Sequence, residues 1–191
     1  LLAGLGEANR FGITAYIDPG VTEGDLADYQ AAENRDELTA RVVASLSPIS
    51  AMANKFGLEI FDLLAVRDQY RSNYLNVDSV KVYIDGVIET RTSFMIEPYL
   101  DGSNFPPFYE QDELNNLYQK LDEMGVQIHT HAIGDGAIRS ALDAYEHTLY
   151  KNGPNDNRHQ IVHLQLIDKD DIPRFGELNV AANFQCMWCY P

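Results

Sequence analysis

The chain has 191 residues, of which 45% are hydrophobic, and its 14 basic and 29 acidic side chains give a formal net charge of −15. An apolar content of this order excludes a disordered chain and indicates a packed domain. The acidic excess repels phosphate backbones, so nucleic acid is not an expected partner. No uninterrupted apolar run reaches the roughly 18 residues that a membrane helix needs, so no membrane span is expected either.

The ends of the chain and its cysteines suggest where it comes from. The chain begins with Leu1 rather than Met and stops at Pro191, directly after an apolar run. These ends predict that residues 1–191 form a single partial domain excised from a longer protein.

Two cysteines cannot build a disulfide framework, which favours a reducing compartment and predicts a cytoplasmic location. Cys186 and Cys189 form a lone CxxC, which is more commonly a pair of free thiols than a metal or redox site.

Short apolar strands alternate with amphipathic helices along the chain. The segments that predict strands are 13–18, 80–85, 126–131, 161–165 and 180–184, and residues 42–46 fit either a strand or a helix face shared with Leu38. The segments that predict helices are 2–8, 60–70, 114–121, 138–149 and 168–178. About six strands that alternate with helices predict an α/β fold with a parallel sheet.

Turn-forming residues punctuate these elements. The tripeptide Asp18-Pro19-Gly20 predicts a turn after the first strand. Gly125 is placed to end the predicted helix 114–121. Asp135 is the expected N-cap of the predicted helix 138–149, which follows the predicted strand 126–131. Residues 97–107 are rich in glycine and proline and predict an active-site loop.

One face of the predicted strands is more polar than the other. Alternate residues of a strand point to opposite faces, and in a parallel barrel one face meets the helices while the other meets the barrel axis. The polar rows of five strands are Thr14, Tyr16 and Asp18; Lys81, Tyr83 and Asp85; Gln127, His129 and His131; Ile161, His163 and Gln165; and Ala181, Asn183 and Gln185. Burying such groups without partners costs about 1–3 kcal/mol each, so this face is predicted to bind a ligand or a metal.

Histidines are concentrated on this polar face. His129, His131 and His163 lie on two neighbouring strands, whose spacing of about 4.8 Å would let His131 and His163 share one ion. A lone buried histidine is more often a hydrogen-bonded core residue, and a lone lysine such as Lys81 is more often a surface amine. Two strand-end histidines beside an inward lysine favour a metal site instead. A buried lysine must be paired, deprotonated or modified, and reaction with CO₂ would turn Lys81 into a carbamate ligand.

Four segments together are similar to one known family. They are Val80-Lys81-Val82-Tyr83-Ile84-Asp85-Gly86, His129-Thr130-His131-Ala132-Ile133-Gly134-Asp135, Arg158-His159-Gln160-Ile161-Val162-His163 and Ala182-Asn183-Phe184-Gln185. In this order they resemble the amidohydrolase superfamily, specifically its YtcJ-like branch, called amidohydrolase family 3. The resemblance implies a (β/α)₈ TIM-type barrel, of which this chain supplies about six parallel strands, the second to the seventh. It also implies one or two divalent metal ions, most often zinc, and hydrolysis of amide or other non-peptide C–N bonds of a small-molecule substrate by a metal-activated water.

The resemblance assigns roles to individual residues. Lys81, His131 and His163 match the metal ligands of the fourth, fifth and sixth barrel strands, and the matching lysine is carbamylated in many members. His129 lies one layer deeper on the same face and is predicted to support the ligands without binding the metal. Three residues are predicted to contact substrate: Asp85, Arg91 and Gln185. For Arg91, an ion pair within its loop is the alternative.

Two parts of the family's site are missing from these 191 residues. The family takes two ligands from a His-x-His motif on its first strand and a proton-shuttling aspartate from its eighth, and no histidine precedes His129. No catalytic residue is therefore assigned within the chain. The full-length protein is expected to be an enzyme, whereas residues 1–191 alone are expected to bind metal weakly and to hydrolyse substrate negligibly. Exposed sheet edges would favour a homo-oligomer.

Two other interpretations fit the same residues. A non-catalytic (β/α) module would bind a small ligand or serve as a scaffold, with water satisfying the polar face. A mononuclear non-haem iron site would need a carboxylate ligand, for which Asp85 is the candidate. The flanking sequence would separate the hydrolase from the module, and the identity of the bound metal would separate zinc from iron.

Overall fold

The computed structural model describes residues 1–47 and 59–185, and the chain divides into two compact units, Leu1–Lys81 and Val82–Pro191. The helices are α1 (Leu2–Arg10), α2 (Glu23–Glu33), α3 (Glu59–Val66), α4 (Gln111–Glu123), α5 (Asp135–Asn152) and α6 (Ile172–Glu177). The strands are β1 (Ala15–Val21), β2 (Arg41–Leu46), β3 (Leu75–Tyr83), β4 (Gln127–Ala132), β5 (Gln160–His163) and β6 (Ala181–Phe184). None of the helices in the described ranges has the length and apolarity needed to cross a membrane. The predicted CxxC at 186–189 lies outside the described residues.

In the first unit, β1 pairs with β2 and β2 pairs with β3, both in parallel. A capping box begins α2: the Thr22 hydroxyl accepts from the N–H of Asp25 at 3.4 Å, and the Asp25 carboxylate accepts from the N–H of Thr22 at 2.9 Å. These bonds satisfy two N–H groups that the start of a helix leaves without backbone partners. Leu26, Ala44 and Leu46 are fully buried in the core of this unit.

The first strand runs further than the sequence predicts. The predicted turn at Asp18-Pro19-Gly20 is wrong, because β1 continues through these residues to Val21. The register against β2 shifts between Pro19 and Val21, and Gly20 has a φ of +99°. A bulge therefore takes up one extra residue, and glycine permits the backbone angle because it has no Cβ.

Residues 42–46 belong to a strand, β2, and not to a helix. Val42 and Val43 are β-branched, which favours strand over helix, and β2 has a parallel neighbour on each edge. The side chains of Val42, Ala44 and Leu46 are at most 1% exposed. The strand alternative is confirmed, and the helix face shared with Leu38 is wrong.

In the second unit, β4 pairs with β5 and β5 pairs with β6, again in parallel. Ile84, which directly follows β3, donates its N–H to the carbonyl of His131 at 3.1 Å, so this part of the chain lies beside β4. The core of the unit includes Leu114, Leu121, Ile128, Ile138 and Leu142. The predicted strands and helices of this unit are confirmed to within a few residues, and Gly125 follows α4 with a φ of +69°, as a helix terminator requires.

A chain of hydroxyl groups fixes which face of β4 meets the helices. The Tyr118 hydroxyl lies 2.5 Å from the Thr130 hydroxyl, which lies 2.8 Å from the hydroxyl of Tyr145. Tyr118 belongs to α4 and Tyr145 to α5, so Thr130 points toward the helices. Because side chains alternate along a strand, His129 and His131 point to the opposite face.

The start of α5 differs by one residue from the prediction. Gly134 is the N-cap, and Asp135, the predicted N-cap, is the first helical residue. The Asp135 carboxylate accepts from the N–H of Ile96 at 2.8 Å, which ties the β3–α4 loop (residues 84–110) to the helix start. A Cβ on Gly134 would lie 2.1 Å from the carbonyl oxygen of Phe94, so this close approach of the loop requires glycine.

Candidate metal centre

Two buried imidazoles meet at the carboxyl-terminal ends of β4 and β5. His131 is the fifth residue of β4 and His163 is the last residue of β5. Their ring centroids are 4.5 Å apart, with an angle of 66° between the ring planes. His131 is 6% exposed and His163 is 8% exposed. The structure thus brings together two of the three predicted metal ligands, at the strand ends where parallel barrels place their active sites.

Hydrogen bonding defines which nitrogen of His131 carries the proton. Its Nε2 lies 2.9 Å from the carbonyl oxygen of Gly86. A carbonyl oxygen only accepts, so Nε2 carries a hydrogen, and in the neutral ring Nδ1 carries the lone pair. The Oδ1 atom of Asp85 is 3.6 Å from the same Nε2, which adds a second acceptor on that side of the ring. Nδ1 is therefore the nitrogen through which His131 would bind a cation.

His163 has the opposite tautomer. Its Nδ1 lies 2.6 Å from Oε1 of Gln185, an amide oxygen that accepts. Nδ1 therefore carries the hydrogen and Nε2 carries the lone pair. The two rings present different nitrogens as ligand atoms, and in each ring the protonated nitrogen is held by a neighbouring oxygen. Oxygen partners of this kind orient histidine ligands in metal sites.

The backbone of His163, and not the regular alternation of β5, directs its ring. In the register of β4 and β5, Thr130 pairs with Ile161 and His131 pairs with Val162. Ile161 thus lies on the helix side with Thr130, so the predicted polar row of this strand is wrong. His163 has a φ of +82°. This rotation about the N–Cα bond redirects its Cβ and allows the ring to meet that of His131.

Two consecutive residues at this point have left-handed backbone angles. His163 has a φ of +82° and Leu164 has a φ of +53°. Neither is glycine, and each such angle costs on the order of 1–3 kcal/mol. Leu164 donates its N–H to the carbonyl of Ala132 at 3.2 Å, and Leu166 donates to that of Ile133 at 3.1 Å. These bonds hold the strained segment against the chain that follows β4, and strain of this kind is concentrated at functional sites.

The carboxylate of Asp85 lies beside the His131 side chain and accepts hydrogen bonds from several backbone N–H groups. Its Oδ1 accepts from the N–H of Ile133 at 3.1 Å, and its Oδ2 accepts from Gly134 at 2.9 Å and from Phe94 at 3.1 Å. The residue is 1% exposed. Burial raises the pKa of Asp85 to about 7, against the opposing effect of the hydrogen bonds from these backbone groups and from Ser93. Its predicted contact with substrate stays a prediction.

Lys81 is the last residue of the first unit and is only 3% exposed. Burial lowers the pKa of Lys81 to about 7, because desolvation disfavours the charged ammonium. A substantial fraction of the amine is therefore neutral near neutral pH. Since CO₂ reacts with the neutral amine, this environment suits carbamate formation. The carbamate and its role as a metal ligand stay predictions.

The other predicted site residues have individual surroundings. His129 is buried on β4, in register with Gln160 of β5, and its support of the ligands stays a prediction. Arg91 forms an ion pair with Asp101 on the exposed surface of the β3–α4 loop, as its alternative reading expected. Gln185 accepts from His163. Contacts of Arg91 and Gln185 with substrate stay predictions.

Two parts of the centre were not found by sequence reasoning. The Tyr83 ring centroid lies 5.4 Å from that of His131. Tyr83 stands in the polar row of its strand, so the signal was present without a role attached to it. The Gly86 carbonyl, which fixes the His131 tautomer, is a backbone group and leaves no side-chain signal in the sequence.

The donor set fits part of a metal site. Within residues 1–47 and 59–185, no group of three or more histidine, cysteine, aspartate or glutamate side chains is close enough to hold an ion. In their neutral form the two imidazoles are nitrogen donors with defined tautomers, which suits zinc and similar divalent ions. They supply two ligands, and a structural or catalytic zinc site requires further ones.

The family comparison covers almost the whole chain. The sequence model of the family described as the amidohydrolase family matches residues 1–190. Protein LONG AFTER FAR-RED 3 of Arabidopsis thaliana is 30% identical over 186 residues, and the putative amidohydrolase YtcJ of Bacillus subtilis (strain 168) is 32% identical over 114 residues. These matches cover 91% and 59% of this chain, and 31% and 21% of the two relatives. The chain thus spans less than a third of the length of either relative.

A solved structure agrees with the fold. An uncharacterized metal-dependent hydrolase from Pyrococcus furiosus superposes with a TM-score of 0.79 at 25% identity, over 96% of this chain and 36% of that one. The predicted fold is confirmed as an α/β arrangement of the (β/α)₈ TIM-barrel type, here with six parallel strands among the described residues. The predicted resemblance is also confirmed, since the match extends over residues 1–190: the chain belongs to the amidohydrolase family.

Proposed function

We propose that the protein containing this chain is a metal-dependent hydrolase that cleaves amide or other non-peptide C–N bonds of small molecules. Membership of the amidohydrolase family and the likeness to a metal-dependent hydrolase support hydrolase chemistry and a divalent metal. Cleavage of C–N bonds and zinc as the metal go beyond what this membership and likeness support. The observation that carries the proposal is the buried imidazole pair, in which Nδ1 of His131 and Nε2 of His163 are the lone-pair nitrogens.

The residues around the pair prepare it for a cation. The Gly86 carbonyl keeps the proton of His131 at Nε2, and Gln185 keeps the proton of His163 at Nδ1. The rings therefore need no change of tautomer when a cation binds. A divalent metal, when bound, supplies Lewis-acid polarisation of the scissile carbonyl and lowers the pKa of water. Burial of both rings limits the access of bulk water to this point.

Lys81 enters the proposal on sequence grounds. Its match to the family's lysine assigns it as a carbamylated ligand, and its pKa of about 7 supplies the neutral amine that this modification needs. Small-molecule substrates and a cytoplasmic location are also proposals that rest on the sequence. The His-x-His motif and the aspartate that the family requires are expected in the remainder of the protein.

Metal analysis of the full-length protein tests the proposal. The wild type should purify with zinc or take it up, whereas His131→Ala and His163→Ala should each lose most of the bound metal. A matched control is His147→Ala, because His147 lies in the middle of α5 and is not assigned to the site. This control should retain the metal content of the wild type.

The same measurements contain the outcome that would refute the assignment. Unchanged zinc content in both His131→Ala and His163→Ala would show that the pair holds no ion and would favour a non-catalytic ligand-binding module. Zinc that is bound by the pair without zinc-dependent hydrolysis of any amide substrate would refute the proposed reaction.

A further inference from the structure

The carboxylate of Asp85 connects two separate pieces of backbone near His131 through three N–H groups. Ile133 and Gly134 follow β4 directly, and Phe94 belongs to the β3–α4 loop. The N–H groups of all three donate to this one carboxylate, at distances of 2.9 to 3.1 Å. Hydrogen bonds to an ionised acceptor are about twice as strong as neutral ones, so Asp85 in its ionised form strongly connects the loop to the end of β4.

The residue after Asp85 makes the contact that defines the His131 tautomer. The Gly86 carbonyl accepts from Nε2 of His131 at 2.9 Å, while the N–H of Gly86 donates to the carbonyl of Thr92 at 2.8 Å. Asp85 therefore adjoins the residue that supplies this carbonyl, and the bond to Thr92 restrains that residue. A Cβ on Gly86 would lie 2.0 Å from the Thr92 hydroxyl, so this position has no space for a side chain.

Asp85 acts on the ring from a second direction as well. Its Oδ1 lies 3.6 Å from Nε2 of His131, beyond hydrogen-bond distance but close enough for a favourable electrostatic interaction with an N–H. In the alternative tautomer, Nε2 carries no hydrogen, and its lone pair would point toward both this oxygen and the Gly86 carbonyl oxygen. The two acceptors together disfavour that tautomer.

We infer that Asp85 is a positioning residue, which selects the Nε2–H tautomer of His131 and so makes Nδ1 the metal-binding atom. The inference deepens the proposed function and rests on it for the metal alone. The selection of the tautomer is a property of the chain without any ion. It differs from the predicted contact of Asp85 with substrate, because both carboxylate oxygens already accept from the protein and the residue is buried.

The test is nitrogen NMR of selectively ¹⁵N-histidine-labelled protein without metal, at a pH well above the usual histidine range, so that the ring is neutral. In the wild type, the His131 signals should show protonated Nε2 and unprotonated Nδ1. Asp85→Asn replaces one acceptor oxygen with an NH₂ donor and should give a mixture of the two tautomers. Zinc affinity should fall by about 10- to 100-fold, the usual effect of removing a group that orients a ligand.

Asp171→Asn is the matched control. Asp171 is also a buried aspartate of the second unit, at 2% exposure, and its carboxylate accepts from Arg139 at 2.9 Å and Arg174 at 3.0 Å. Asp171→Asn should lower stability but leave the His131 tautomer and the zinc affinity unchanged. An equal effect of both variants on the tautomer would reduce Asp85 to a general contribution to stability and overturn the inference.

Two further results complete the test. If Asp85→Asn does not fold, Ser93→Ala removes a hydroxyl that hydrogen-bonds to the Asp85 carboxylate and also lies 3.5 Å from the Gly86 carbonyl oxygen. This variant should shift the tautomer in the same direction to a smaller extent, and an unchanged ring overturns the inference. If the wild type binds no zinc but has the expected tautomer, which Asp85→Asn alters, the proposed function fails while the positioning role stands.

Discussion

Two Asp–His pairs of the second unit, each with a buried aspartate, differ in their hydrogen bonds. At the end of β4, His131 gives its Nε2 proton to the Gly86 carbonyl, and Asp85 accepts from backbone N–H groups. Before the start of β5, His159 donates directly from Nε2 to Asp122 at 2.9 Å, and its Nδ1 accepts from the N–H of Ile128 at 3.1 Å. The lone pair of His159 is already used within the protein, so this pair stabilises the fold and cannot ligate a metal through Nδ1.

The two carboxylates also differ in pKa. Burial raises the pKa of Asp85 to about 7. Burial alone would raise that of Asp122 as well, but side-chain donors outweigh it and hold the pKa of Asp122 well below its usual range. These donors are His159, Asn152, Asn155 and Asn157. The comparison shows that a buried aspartate remains a stable anion where several side chains converge on it.

The largest expected effect on stability is that of Asp122→Ala. The substitution leaves the four side-chain donors around Asp122 without their acceptor, and leaving several donors of an ionised group unsatisfied costs about 3–5 kcal/mol in total. Urea unfolding should show a loss of this size. Asp156→Ala is the control, since its ion pair with Arg158 is exposed and should contribute less than about 1 kcal/mol. If Asp122→Ala lost less than about 1 kcal/mol, the contacts of Asp122 with His159 and the three asparagines would not stabilise the fold.

Removing His159 separates stability from metal binding. His159→Ala leaves the N–H of Ile128 without its acceptor and should lower the free energy of unfolding by about 1–3 kcal/mol. The zinc content per folded molecule should equal that of the wild type, whereas His131→Ala should lose the metal. The comparison of the two pairs would be wrong if His159→Ala lost as much zinc as His131→Ala.

Acid should weaken the protein partly through Asp122. Because the folded-state pKa of Asp122 is lowered, its contribution to stability is complete above the usual aspartate pKa of about 3.9 and is lost as the pH falls toward the folded-state value. Urea unfolding across a pH series should therefore show a steeper acid loss in the wild type than in Asp122→Asn. Equal slopes would contradict the lowered pKa.

The smallest expected effect is that of Arg91→Ala. Arg91 and Asp101 form an ion pair whose side chains are 61% and 42% exposed, and solvent screening limits such pairs to less than about 1 kcal/mol. Neither urea unfolding nor zinc content should change appreciably. A large increase in KM of the full-length enzyme with unchanged stability would instead support the predicted contact of Arg91 with substrate.

Much of the fold could be predicted from sequence because its signals are local. The apolar rows of the strands and the helical spacing of Leu114, Leu121, Ile138 and Leu142 identify the elements of the second unit. The bulge at Gly20 was missed, because Pro and Gly are the common residues of turns and their use inside a strand depends on pairing with β2. The proximity of His131 and His163 could be predicted because both lie at the ends of neighbouring parallel strands, whereas their role as metal ligands stays a prediction.

The details of the site depend on contacts that no local pattern encodes. A φ of +82° at a histidine has no sequence signal, so the side on which His163 lies could not be derived from alternation along β5. The hydrogen bonds of Asp85 link residues that are 9 to 49 positions apart in the chain. The same holds for Asp122, whose partners lie 30 to 37 positions away.

The left-handed backbone angles of His163 and Leu164 limit how this pair of histidines can be built into a designed protein. A designer who copied the two imidazoles onto an idealised barrel with straight strands would find one of them facing the helices, because the register puts Val162 opposite His131. The graft would have to include the two unusual backbone angles together with the hydrogen bonds that restrain them.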